Sequence, residues 1–180
     1  METKSLENFL KQFGQDVIDK SKAKLYKDKG DTALGHSIRF EVVPTDTGFS
    51  TQFYMLDYGT FLDKGVSGNK EKRSFENYKG ATQSSPYSYT SKGPPIDIIS
   101  KWIKKKGIEP KGLGRGRSKN TGQYISGFAY LISRKIKRDG IKSLSFFQQP
   151  LGVEYDKLKE GILTELKLDI ENYLTTFYRP

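Results

Sequence analysis

At 180 residues the chain can bury one real core, and its single histidine and lack of cysteine exclude several chemistries. Disulfide frameworks, thiolate metal sites and cysteine nucleophiles are ruled out, and His36 alone makes neither a His-based metal site nor a triad. The net charge is +10, and its location is informative: thirteen Lys and Arg lie from Lys101 to Lys142 against only Glu109 and Asp139, so one window carries the whole excess. That patterning marks a binding face.

Hydrophobic residues make up 34%, and with 11 Phe, 11 Tyr and one Trp the core is expected to lean on rings that each bury a large area. The first residues lack the basic start and apolar run of a signal peptide, and no stretch is apolar enough to span a bilayer, so a soluble protein made in a cytosol is expected.

In chain order, Leu6, Phe9, Leu10, Phe13, Val17, Ile18 and Leu25 fall at steps of three and four, which predicts an amphipathic helix from about Ser5 to Lys27. Ser5 or Thr3 is placed to cap it and Gly30 to end it, while Gly14 inside it suggests a close approach by another backbone. Ile38, Phe40 and Val42 alternate as a strand that His36 begins. A loop of about five residues at 44–48 leads to a second strand from Phe49, giving an antiparallel hairpin.

The two-residue alternation breaks at Tyr58, Phe61 and Leu62, which read as a short helical turn whose apolar face folds back on the sheet and which Gly65 stops. Residues 67–93 have no sustained period. They read as a long inserted arm whose aromatics, Phe75, Tyr78, Tyr87 and Tyr89, order against a neighbour.

Pro94 and Pro95 open a helix with Ile96, Ile99, Trp102 and Ile103 on one stripe, and Gly107 and Ile108 follow as the left-handed residue and apolar partner of a Schellman ending. The same device is expected after Ile125, Phe128, Ala129, Ile132 and Ile136, with Gly140 and Ile141 closing. Lys104, Lys105, Lys106, Arg134, Lys135 and Arg138 sit in or near these basic helix ends, where the dipoles favour them. Between the two helices, residues 111–120 read as a mobile basic loop carrying Arg115, Arg117 and Lys119. Leu144, Phe146 and Phe147 suggest a short strand up to Pro150, and Tyr155 to Phe177 a C-terminal helix.

Motifs with chemistry are few. Gly112, Gly114 and Gly116 lack a preceding strand and a Gly-Lys-Ser/Thr ending, so no nucleotide cradle is expected. Asp57 and Asp63 flank the helical turn, but a hydrolytic pair needs a cleft and a raised pKa that nothing here announces. No enzyme, catalytic residue, metal or cofactor is expected. The basic residues suit either nucleic-acid phosphates or an acidic protein rim, the second being preferred.

Tyr58, Phe61, Leu62, Asp63 and Gly65 form a Tyr-x-x-aromatic-aliphatic-acid-x-Gly pattern just after a strand. Together with the segment from Trp102 to Ile108 and the stretch from Phe128 to Ile141, this resembles the phage head–tail joining, or tail-completion, proteins of the neck. The resemblance implies an α+β fold, a small antiparallel sheet packed against helices, with the long arm and the C-terminal helix as additions. It implies a tail-completion-like domain over 1–150 with an appendage at 151–180. It also implies a structural virion protein, assembled in the host cytoplasm as a homo-oligomeric ring between portal complex and tail. The motif residues would then serve subunit interfaces, with neck, portal or tail proteins as partners, non-specific DNA contact at most and no membrane. The alternative is a basic nucleic-acid-binding protein of a phage or mobile element.

Overall fold

The computed structural model describes residues 4–46, 48–108, 115–117 and 124–177. The element order is α1 (Lys4–Lys29), α2 (Ala33–Ser37), β1 (Arg39–Thr45), β2 (Gly48–Tyr54), α3 (Tyr58–Lys64), β3 (Ser74–Glu76), β4 (Thr82–Ser84), α4 (Ile96–Lys105), β5 (Arg115–Arg117), β6 (Tyr124–Ser126), α5 (Gly127–Asp139) and α6 (Gln148–Phe177). The fold is α+β, as expected, but its strands form three two-stranded pairs, β1-β2, β3-β4 and β5-β6, instead of one small sheet. The chain divides into two compact units, Met1–Asp63 with Glu76–Gln83 and Leu144–Pro180, and Lys64–Phe75 with Ser84–Ser143. The expected boundary at residue 150 is therefore replaced by a discontinuous unit into which the second is inserted.

The first unit is built on α1. Its stripe places Leu10, Phe13, Val17, Ile18 and Leu25 in the core, as the spacing predicts. Phe146, Phe147, Leu34 and Ile38 join them, and Phe40, Phe53, Met55, Leu62, Leu151 and Leu158 pack around the edge. Phe53 anchors the ring cluster, lying 6.2 Å from Phe13 and 5.3 Å from Phe147, both edge-on. Each such side chain taken fully out of water contributes about 1.5–3 kcal/mol.

The hairpin is tighter than expected. Pairing runs through Pro44↔Phe49 to Thr45↔Gly48, inside the loop expected at 44–48. His36 belongs to α2, not to a strand, because Thr32 caps a short helix there by accepting from the Gly35 amide at 3.2 Å.

Gly14 does mark a close approach, but by a ring: a Cβ there would lie 2.3 Å from Cδ2 of Phe40. Gly14→Ala, harmless on helix propensity alone, is expected to destabilise by about 1–3 kcal/mol through overpacking. Chemical denaturation checks this, and Phe40→Leu in the same chain should recover most of the loss. A Gly14→Ala protein as stable as the parent would disprove the contact.

The final helix is a wall of the core, not an appendage. It begins at Gln148, well before Tyr155, with Pro150 in the first turn, where the missing N–H has no intrahelical partner to lose. The strand expected just before it is absent. Phe146 and Phe147 are instead core residues of an irregular segment in which Ser145 takes φ 44°.

The two longest helices are capped from afar. Asp63 Oδ1 accepts from the amides of Phe147 at 2.8 Å and Gln148 at 3.3 Å, at the start of α6. Asp169, on α6, accepts from the amides of Ser5 at 3.0 Å and Leu6 at 2.9 Å, at the start of α1. Asp169 thus takes the capping role expected of Ser5, while Thr3, the other residue expected to cap, lies outside the described residues. Burial of its carboxyl opposes ionisation, but the Leu6 and Ser5 amides outweigh it and hold the pKa below the ordinary range. Glu154, also buried, has the same balance: burial raises its pKa, and bonds from Lys20 and Lys157 lower it further.

In the second unit Ile99, Ile103 and Ala129 form a small core, with Ile96, Phe128, Ile132 and Ile136 around it. α4 ends as predicted: Ile108 N–H donates to Ile103 O and Gly107 N–H to Lys104 O, each at 3.1 Å, with Gly107 at φ 62°. α5 ends differently. Gly140, at φ 73°, donates to Ile136 O at 2.7 Å, but Ile141 N–H donates to Val66 O at 2.7 Å in an antiparallel bridge. That is the simpler left-handed cap, chosen because the apolar partner is recruited into a bridge. Gly127 to Asp139 forms the helix, so Ile125 lies on β6 and outside the predicted stripe.

Part of the expected basic loop is strand. Arg115–Arg117 forms β5, paired antiparallel with Tyr124–Ser126. Lys119 and the rest of the glycine-rich stretch lie outside the described residues.

Candidate functional site: an exposed aromatic pair and a basic groove

The family-like motif divides into residues that hold the fold and residues that do not. In α3, Gly59 is pressed so close that a Cβ would meet Met55 Sδ at 2.7 Å and Leu34 Cδ1 at 2.8 Å. Leu62 packs on the core, and Asp63, only 2% exposed, holds the start of α6. In the second unit Gly65, at φ 73°, leaves no room for a Cβ, which would stand 2.8 Å from Ile141 O and Ser143 N.

Leu62, Asp63 and Gly65, expected as interface residues, are therefore consumed inside the chain. Tyr58 and Phe61 do the opposite. Expected to fold back on the sheet, they remain 45% and 42% exposed, because Gly59 and Leu62 occupy the inward face. Asp63 is also unavailable as a partner for exposed Asp57 in acid–base chemistry.

The 67–93 segment is not a free arm. Ser67 N–H donates to Tyr87 O and Tyr89 N–H to Ser67 O, both at 2.8 Å, and Ser85 Oγ donates to Gly65 O at 2.7 Å. Phe75 is buried, with Lys64 Nζ 5.8 Å from its ring centroid, and Tyr87 and Tyr89 are half-buried; burial raises the Tyr89 pKa. Residues 76–83 join the first unit, where the Tyr78 ring meets Tyr155 edge-on at 5.4 Å. The chain supplies its own cover for these aromatics. Excising 69–91 would remove these contacts, so it cannot separate assembly from folding.

The basic residues sort by what they already hold. Lys104, Lys105 and Lys106 are exposed at the end of α4, where they complement its dipole. Arg138 chelates Asp139, Nε to Oδ1 at 2.5 Å and Nη2 to Oδ2 at 2.9 Å, and Lys137 Nζ donates to Ser91 O at 2.6 Å. The Arg138 bond is also what lowers the Asp139 pKa most. Arg134 and Lys135 carry no such bond to a carboxylate among the described residues, and with Lys70 they line a groove of about 620 Å³ completed by Asn69, Leu131, Lys137 and Arg138. Sequence reading found Arg134, Lys135 and Arg138 but missed Lys70, which only the fold brings to α5.

His36 is exposed and pairs with Asp31 at 2.7 Å. Among the described residues no cluster of His, Cys, Asp and Glu could hold a metal ion, and no helix is long and apolar enough to cross a membrane. Compared with models of protein families, with curated proteins and with solved structures, the chain matches none.

Proposed function

We propose that this chain is a ring subunit of a phage neck, a structural virion protein joining the portal complex to the tail. The observation that carries this reading is the exposure of Tyr58 and Phe61 on a helix that is otherwise fixed. Gly59, Leu62 and Asp63 hold α3 in place, so the two rings are presented rigidly, less than a turn apart, at little entropic cost to a partner. The fold explains the glycine, acid and aliphatic positions of the motif by internal packing. The aromatic positions leave nearly half of their surface open to a partner.

Identical subunits that meet head to tail through unlike surfaces close into rings when the rotation permits. The reading needs no catalytic group, cofactor or metal. Its test is assembly: sedimentation and negative-stain imaging of concentrated protein should show closed oligomers, and Tyr58→Ser with Phe61→Ser should leave monomers with an unchanged circular dichroism melt. A parent protein that stays monomeric at every concentration, or rings indifferent to both substitutions, would overturn the reading.

A further inference from the structure

We propose that the groove between residues 69–70 and α5 binds the phosphate backbone of nucleic acid without reading its sequence. The inference concerns the second unit alone and does not rest on ring assembly.

α5 turns one face to its small core through Ala129, Ile132 and Ile136 and leaves Tyr130, Leu131, Arg134, Lys135 and Arg138 exposed. These five recur at helical spacing and make one continuous strip. A satisfied surface helix would spread both signs of charge over that strip, yet every charged member is basic. Asp139, the nearest acid in sequence, has both carboxylate oxygens engaged by Arg138.

Lys70 is added by the fold. Its amide donates to Arg138 O at 3.0 Å and the Asn69 amide donates to Lys137 O at 2.9 Å, which fixes that wall of the groove against the last turn of α5. The Lys70 side chain is thereby brought to the cationic strip by backbone bonds that do not involve its charge. Lys70, Arg134 and Lys135 then stand as three cations with no carboxylate bonded to any of them among the described residues.

The partner follows from this chemistry. Three uncommitted cations around one groove can each meet a phosphate, because a duplex carries one negative charge per about 1.7 Å of its axis. Arg134 lies 5.7 Å from the Tyr130 ring centroid, an arrangement that orients the guanidinium while leaving it charged. Two of the three uncommitted cations are lysines, point charges suited to phosphate and poor at two-pronged recognition of a base edge. Affinity without sequence preference is the expected result.

The experiment is fluorescence anisotropy with a labelled 20-base-pair duplex, on protein dilute enough to be monomeric, from 50 to 300 mM salt. Lys70→Ser, Arg134→Ser and Lys135→Ser together should cut affinity by two to three orders of magnitude near 0.1 M salt and reduce the log–log salt slope by about 2.7. The charge-matched control is Lys22→Ser, Lys27→Ser and Lys29→Ser on α1, which should keep the parent slope. If the triple groove variant melts early, Lys70→Ser with Lys135→Ser alone should still remove about 1.8 from the slope.

Three results would overturn the proposal: no duplex binding at 50 mM salt, equal losses in the control, or polyglutamate competing as well as DNA at equal charge. The last would assign the groove to an acidic protein.

Discussion

Gly140→Ala is expected to lower the stability of the protein by about 3 kcal/mol, the largest loss among its left-handed glycines, while Gly107→Ala costs about 1 kcal/mol. Both residues end helices with positive φ, 73° and 62°, so both incur the strain of an L side chain in that region. They differ in what surrounds them. A Cβ at Gly107 meets nothing within 4 Å, whereas one at Gly140 would lie 2.1 Å from Val66 O and 2.6 Å from Gly68 N.

Those atoms are backbone, and Val66 O already accepts from Ile141 at 2.7 Å, so making room means breaking the bridge that follows α5. Urea unfolding of the two variants beside the parent measures the difference. Equal losses at the two sites would mean that the backbone crossing yields freely and that the bridge contributes little.

Asp63→Ala is the second large effect, expected at about 3 kcal/mol. The substitution strands the Phe147 and Gln148 amides, the first in a residue only 9% exposed, and removes a negative charge from the positive end of a 30-residue helix. Asp63→Asn keeps an acceptor in place and should cost about 1 kcal/mol. The ordering Ala worse than Asn, read from denaturation midpoints, is the diagnostic. If both substitutions are neutral, this bond contributes nothing to stability and the burial of Asp63 has another cause.

What the sequence made legible was local. The α1 stripe from Leu10 to Leu25 and the ending at Gly107 depend on residues within a few turns of one another, and both appear where the spacing puts them. Reading failed where partners are distant. The carboxylates that cap α1 and α6 lie 163 and 84 residues from the amides they bind, and no local pattern announces them.

Direction failed too. Tyr58, Phe61 and Leu62 were grouped as one apolar face, but the small volume at Gly59 turns α3 so that only Leu62 faces in. Phe146, Phe147 and Pro150 read as the end of a strand because apolar pairs before proline do not distinguish a strand from a buried bend. For the candidate site, the α5 cations were visible and the wall carrying Lys70 was not, since backbone bonds to Lys137 O and Arg138 O place it.

The capping of α1 by Asp169 has a consequence for how the chain is made. A ribosome delivers residues in order, so α1 emerges long before its cap and before Phe146 and Phe147, which complete its core. The whole second unit, whose small core and helix endings come from its own segments, is synthesised in between. The nascent first helix can meet α2 and the hairpin early, but its cover stays incomplete until Phe146, Phe147 and α6 arrive, and the discontinuous unit closes only after α6 has left the exit tunnel.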